Sequence, residues 1–252
     1  MSLSALNDPR LDEAGVTVRL FHDSNKPRKL KYNLLAAKES GHRILITAGG
    51  AYSNHLPAVA RIGREQGFLT RGVVRGEPVS NPSLERCRAD GMELSFMDRA
   101  SFRTWERHAD TSGCHVIPIG GSNALGAKGC AEIAGDIDED YDLICCPVGT
   151  GGTLAGLAEG LPEGKRALGF AVLKGGGFLN DDVKRLQREA FGHATGNWSI
   201  NLDFHCGGYA KRDDRLDPRW ERVHVAKMML GISTLAGEGK LNGARVVALI
   251  TG

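Results

Sequence analysis

Aromatic side chains are scarce in this 252-residue chain. Three tryptophans, four tyrosines and eight phenylalanines make up 6% of it. No apolar run approaches the length needed to cross a bilayer as a helix. Charge of one sign is not in excess either: 32 basic residues face 30 acidic ones, a formal net charge of +2. With so little excess charge and few rings to stack on bases, composition offers no case for nucleic acid or an anionic membrane as partner. The cysteines (Cys87, Cys114, Cys130, Cys145, Cys146 and Cys206) form no CxxC pair and no Cys/His set with zinc spacing. The eight histidines show neither HxH nor HExxH, so no catalytic metal is expected. The first fifteen residues, MSLSALNDPRLDEAG, lack the basic-then-apolar pattern of a signal peptide. Cys145 and Cys146 adjoin within an apolar run, which predicts buried thiols in a reducing compartment and hence a cytoplasmic protein.

What the chain has in quantity is glycine, 34 residues. Without low complexity, that excess points to tight loops where backbone approaches a ligand. Between the loops, apolar runs alternate with amphipathic stretches. Strands are predicted over 15–21, 43–48, 68–74, 92–97, 115–118, 143–148, 167–173, 198–204 and 244–251. Helices are predicted over 27–40, 54–66, 82–89, 124–137, after Thr153, over 181–190 and over 223–236. Strand and helix in alternation imply parallel sheets covered on both faces, an α/β architecture. A glycine-rich loop near Gly120 separates two halves.

Three glycine loops follow strands and open helices: AGGAYSN (48–54), GGSNALG (120–126) and VGTGGT (148–153). In a parallel sheet these fall at carboxyl ends of strands, where ligands bind. VGTGGT is the most specific of them. Its glycines let backbone N–H groups turn inward, and the following helix N-terminus adds partial positive charge, so the loop suits a phosphate dianion. Thr150 and Thr153 can add hydroxyl donors. It is neither a P-loop, since no lysine follows the glycines, nor a dinucleotide fingerprint, since Leu154 stands where the third glycine belongs. The same pattern also serves as a plain strand-to-helix turn.

Lys26 lies in HDSNKPRKL, with the N-cap types Ser24 and Asn25 before it and Pro27 after it. At such a helix start, partial positive charge favours the neutral amine that forms a Schiff base. The alternative is a surface lysine in a basic cluster with Arg28, Lys29 and Lys31, a solvated helix face.

Taken together, NKPRKLKYNLLAA, TAGGAYSNHLPAVA, RGEPVSNPSL, PIGGSNALGAKGCAEIAG, VGTGGTLAG, GFAVLKGGGFL, FHCGGYAK, AKMMLGI and VALITG occur in order over nearly the whole chain. In them the sequence resembles the 1-aminocyclopropane-1-carboxylate deaminase / D-cysteine desulfhydrase family. These are pyridoxal-phosphate enzymes of the tryptophan-synthase-β-like fold, fold type II. The resemblance implies two parallel-sheet, three-layer domains: a smaller one over 29–121 and a larger, cofactor-binding one over 1–28 plus 122–252. It also implies a homodimer, and a lyase or deaminase that releases ammonia and a 2-oxo acid from a small amino acid. D-cysteine or a related β-substituted D-amino acid fits GGAYSNH better than the cyclopropane substrate.

By the same resemblance, Lys26 would hold pyridoxal 5'-phosphate as a Schiff base and move the substrate α-proton. Asn54 would bond the pyridoxal 3'-oxygen. Ser53, with the backbone around Asn54 and His55, would hold the substrate carboxylate, while the ring of His55 is expected on the helix surface or behind the site. Thr150, Gly151, Gly152 and Thr153 would hold the phosphate, Tyr209 would line the active site, and Thr251 would face the pyridine nitrogen. Three departures stand out. The segment before Lys26 is shortened, with Ser24 for the usual glycine. His224, followed by Val225, stands where the family has an active-site tyrosine. The chain stops at Gly252, where relatives continue with another glycine and a short tail. These departures keep open the alternative of a cofactor-binding member with impaired turnover; a racemase or β-replacement enzyme is a further alternative, since the same cofactor chemistry serves each.

Overall fold

In the computed structural model, which describes residues 3–211 and 213–251, the alternating pattern folds into two units. One comprises the chain up to Asn25 together with Ala127 onward, and the other is Lys26–Gly126. The strands are β1 (Leu3–Ala5), β2 (Thr17–His22), β3 (Ile44–Gly50), β4 (Leu69–Arg75), β5 (Glu93–Met97), β6 (Cys114–Ile117), β7 (Leu143–Val148), β8 (Arg166–Ala171), β9 (Trp198–Asn201) and β10 (Arg245–Ile250). The helices are α1 (Pro9–Glu13), α2 (Asn25–Glu39), α3 (His55–Glu65), α4 (Pro82–Ala89), α5 (Trp105–His108), α6 (Ala124–Ala131), α7 (Gly152–Gly160), α8 (Leu179–Phe191) and α9 (Val225–Gly237).

In the larger unit the strands pair in the order β1-β2-β10-β7-β8-β9. All neighbours are parallel except β1, which runs antiparallel to β2 with Leu3 opposite Phe21. One face of this sheet buries Val18, Leu20, Cys145, Phe170 and Ala248 against Leu11 of α1 and Met228, Ile232 and Leu235 of α9. On the other face Gly169 lets Val148 and Leu154 close over β8, and α7 is buried along nearly its whole length. That burial needs a close helix pair. An added Cβ on Gly156 would overlap the Ala127 carbonyl oxygen of α6 and come within 2.7 Å of Cys130 Cβ.

The smaller unit has an all-parallel sheet in the order β5-β4-β3-β6. Alternate residues of β3 and β4 point to opposite sides, as the two-residue period of a strand dictates. Leu45 and Val74 pack under Leu30, Leu34, Leu56, Val59 and Leu84, contributed by α2, α3 and α4. Ile46, Ala48 and Val73 pack under Phe102 and Trp105.

The structure differs from the sequence expectation in several places. β1, α1 and α5 were not expected. α1 nevertheless carries a readable signal, because Asp8 accepts from Arg10 N at 3.1 Å and Pro9 sits at the first turn. The helix expected over 124–137 ends at Ala131 and resumes only as a 3-10 turn at Ala134–Asp136, in a stretch weakened by glycine. The strand expected over 167–173 stops at Ala171. The strand expected to reach Phe204 stops at Asn201, whose side-chain oxygen accepts from Asp203 N at 2.9 Å and turns the chain. Gly252, the last residue of the VALITG run, lies outside the described residues.

Candidate active site

Because β2, β10, β7 and β8 are parallel neighbours, one edge of the larger sheet receives Asp23–Asn25, Thr251, the 149–153 loop and Val172–Gly176 together. Gly151 is the N-cap of α7 and has φ +78°, the left-handed region, with no side-chain cap bond. A Cβ there would also press on Val183 Cγ2 at 3.0 Å. The first turn of α7, from Gly152 and Thr153, therefore presents uncapped N–H donors and the positive end of the helix dipole at a buried loop. This donor set, without a carboxylate in the loop, fits a phosphate dianion. Asn25 is buried and its Nδ2 donates to Thr153 Oγ1 at 2.8 Å, which ties the start of α2 to this loop; Lys26 is the next residue. Thr251, also buried, follows β10 beside β7.

Beside the loop lies a chain of polar side chains. Tyr209 Oη and His224 Nε2 are 3.4 Å apart, their rings edge to face at 81°. His224 Nδ1 is 3.2 Å from Glu221 Oε2. Glu221 also accepts from Val223 N at 2.9 Å and His224 N at 2.8 Å, which leads the chain into α9. Burial alone would push the Glu221 carboxyl up, but the bonds and charge from His224 and the two backbone N–H groups outweigh it and hold it down to about 2. A Cβ on Gly149 would stand 4.0 Å from His224 Nε2, so the imidazole abuts the glycine loop.

Lys227, fully buried one turn into α9, donates from Nζ to the carbonyls of Val172 at 2.7 Å, Gly208 at 2.8 Å and Tyr209 at 3.4 Å. Burial lowers its pKa, opposed by the charges of Cys206 and Glu221. Three carbonyl partners match the three N–H bonds of an ammonium. Sequence reasoning missed both Lys227 and Glu221. Glu221 carries a local signal, an acidic side chain three residues before His224 at a helix start, whereas the acceptors of Lys227 have none.

In the smaller unit Lys26 is half-buried in the first turn of α2. Ser53 and Asn54 form the turn between β3 and α3. Ser53 Oγ accepts from His55 N at 3.1 Å, and Asn54 is exposed at the N-terminus of α3 without a side-chain cap bond. Of the two places expected for the His55 ring, the helix surface is excluded: it is buried, with Nε2 at 2.9 Å from Thr47 Oγ1, because α3 turns its first residue toward β3. Burial, and then the positive charges of Lys26 and Lys29, hold its imidazole well below the usual histidine range. The basic cluster is likewise not a solvated face. Arg28 and Lys29 are buried and only Lys31 is exposed. Lys29 tolerates burial because its Nζ donates to Gly120 O at 3.0 Å and Ser122 Oγ at 3.3 Å. The GGSNALG loop is thereby knitted to α2, and Asn123 adds a 2.8 Å bond to Asn33. Of the residues singled out from sequence, the structure brings Asn25, Gly149–Thr153, Tyr209, His224 and Thr251 to one sheet edge. It brings Lys26, Ser53, Asn54 and His55 to the starts of two helices of the other unit.

The sequence pattern of the pyridoxal-phosphate dependent enzymes matches residues 23–174, more than half of the chain, and the chain belongs to that family. Its fold is therefore fold type II and its cofactor pyridoxal 5'-phosphate. Within the family it is similar to a provisionally named 1-aminocyclopropane-1-carboxylate deaminase of Thermotoga maritima, 35% identical over 56% of this chain and 50% of that protein. It is also similar to a D-cysteine desulfhydrase of Klebsiella pneumoniae, 33% identical over 58% of this chain and 51% of that protein. These matches span about half the length of each relative. A crystal structure of an ACC deaminase homologue superposes with a TM-score of 0.89 at 25% identity, covering 100% of this chain and 88% of that one.

Proposed function

We propose that the protein is a pyridoxal-phosphate-dependent lyase that deaminates a small amino acid, releasing ammonia and a 2-oxo acid. The preferred substrate is D-cysteine or a related β-substituted D-amino acid, with 1-aminocyclopropane-1-carboxylate as the other candidate. The observation that carries this reading is the bond from Asn25 to Thr153, which fastens the residue before Lys26 to the loop best suited to a phosphate. The two relatives just described carry the matching names.

In this reading Thr150, Gly151, Gly152 and Thr153 hold the phosphate and Asn54 the pyridoxal 3'-oxygen. Thr251 faces the ring nitrogen with a neutral hydroxyl, and Lys26 Nζ holds the cofactor. When bound, pyridoxal phosphate supplies the electron sink for charge developing at the substrate α-carbon. Ser53 and the N–H groups of Asn54 and His55 at the start of α3 bind the substrate carboxylate. Lys26 Nζ takes the α-proton, and Tyr209 and His224 exchange a proton with the leaving atom. The same reading assigns cofactor binding to 1–28 plus 122–252 and the smaller domain to 29–121, and takes the protein to be a cytoplasmic homodimer. Among the described residues no helix is long and apolar enough to cross a membrane.

Borohydride reduction of the purified holoprotein followed by peptide mapping is the direct test, and the label is expected on Lys26. A label on Lys29 or Lys227, or none at saturating cofactor, overturns the assignment. Keto-acid and sulfide release measured over D- and L-amino acids tests the substrate. Turnover of L-substrates alone refutes the D-preference.

A further inference from the structure

Glu221, His224 and Tyr209 lie in one hydrogen-bonded line, and that line ends beside the glycine loop. Glu221 is an ionised carboxylate and can only accept. Its Oε2, 3.2 Å from His224 Nδ1, therefore requires the proton of the neutral imidazole to sit on Nδ1. Nε2 is left with its lone pair, 3.4 Å from Tyr209 Oη, so the phenol is the donor of that contact. The distance is at the long end for such a bond, as is common for acid–base pairs before substrate is bound. Lys227 does not compete for Glu221, because its Nζ is engaged with the carbonyls of Val172, Gly208 and Tyr209. Those bonds hold the backbone of Tyr209 in place relative to α9, which carries His224 at its start.

We propose that Glu221, His224 and Tyr209 form a proton relay in which His224 charges and recharges the Tyr209 hydroxyl while Glu221 positions the imidazole. The relay rests on the lyase reading given above for the identity of its proton acceptor. In the charged state Nε2 carries a proton taken from solvent, and the imidazolium lies against the Glu221 carboxylate. As the bond from the substrate β-carbon to its leaving atom breaks, the Tyr209 O–H proton passes to that atom. The Nε2 proton passes to Tyr209 Oη in the same movement. One bond to hydrogen forms on the leaving atom, one breaks at Nε2, and Tyr209 ends unchanged. Nδ1 keeps its proton toward Glu221 Oε2, so the imidazole is left neutral. Tyr209 and His224 are catalytic residues in this scheme, and Glu221 is a positioning residue.

Replacing Glu221 with glutamine tests the relay. Val223 N bonds Glu221 Oε1, while His224 N and Nδ1 share Oε2, so the single Gln oxygen replaces only one of the two acceptors and one cap bond at the start of α9 is lost. With that oxygen toward Val223 N, the NH2 faces Nδ1, forces that nitrogen to accept, and moves the imidazole proton to Nε2. Ring-15N spectra of the holoprotein at alkaline pH, with His224 assigned through His224→Gln, should show Nδ1–H in the wild type and Nε2–H in E221Q. E221Q should lose at least tenfold in kcat with KM within about twofold. Borohydride labelling of Lys26 should be unchanged. An Nε2–H tautomer in the wild type, or full kcat in E221Q, overturns the relay. If E221Q does not fold, the wild-type spectrum and Tyr209→Phe decide the matter, and full kcat in Y209F refutes the relay. Failure to label Lys26 would instead strike the lyase reading and leave the tautomer result standing.

Discussion

Lys227→Met removes an ammonium while keeping its apolar stem, so packing along α9 is preserved and the loss is confined to hydrogen bonds. Lys227 is fully buried and its Nζ holds two short bonds, 2.7 Å to Val172 O and 2.8 Å to Gly208 O, with a third at 3.4 Å to Tyr209 O. A hydrogen bond to a charged group contributes about 1.5–3 kcal/mol, and a buried carbonyl left without a donor costs about 1–3 kcal/mol. The desolvation cost of the ammonium, which lowers its pKa, disappears in the variant and offsets part of this. The net expectation is a loss of about 3 kcal/mol, carried mostly by the two short bonds. For a chain of this size that corresponds to a fall in Tm of about 6–12 °C. Thermal unfolding of the holoprotein followed by circular dichroism measures it. Turnover should fall as well, because Gly208 and Tyr209 lose their tether to β8 and α9. A K227M variant melting within about 2 °C of wild type would refute the view that this lysine fastens the Tyr209 loop.

Gly156→Ala should destabilise by about 2–3 kcal/mol, because its Cβ collides with the rigid Ala127 carbonyl of α6. Gly135→Ala, which meets nothing within 4 Å, should be neutral; equal melting temperatures for the two variants would contradict the close approach of α6 and α7. Stability should also decline as pH falls below about 6.5, the ordinary histidine value. His55 is held neutral in the folded chain by burial and by the Lys26 and Lys29 charges, so below 6.5 the unfolded chain binds more protons, and the folded state loses up to about 1.4 kcal/mol per pH unit. Half-buried His115 acts in the same direction. Urea titrations at pH 7.5 and 5.5 check this, and an identical pH slope in wild type and His55→Asn would remove His55 as the cause.

Local pattern carried much of the architecture. The apolar run RILITA is β3 within two residues at its carboxyl end, LICCPV is β7 as expected, and α4 spans the expected residues 82–89. Asn81 Oδ1 accepts from Leu84 N at 3.0 Å, the cap that its residue type implies. The alternation of strand and helix implied parallel sheets, and the 148–153 glycines announced a tight loop between a strand and a helix. These features depend on residues within one turn or one strand of each other, so a linear reading reaches them. The order of strands does not. β10, last in the chain, inserts between β2 and β7, and only that insertion brings Thr251 beside the loop after β7.

The same limit explains the misread side chains. Lys29, Lys227 and His55 are polar residues of types that ordinarily face solvent, and nothing adjacent in the sequence says otherwise. Lys29 is buried because Gly120 offers a carbonyl, Lys227 because Val172 and Gly208 do, and His55 because Thr47 stands opposite. The sequence by itself determined the elements, their parallel class and the glycine loops, since spacing and side-chain shape act over a few residues. Tertiary structure alone decided which polar groups are buried and which of them meet. A buried donor is tolerated only where an acceptor from elsewhere in the chain arrives within hydrogen-bond reach, and that pairing exists only once the sheets have closed.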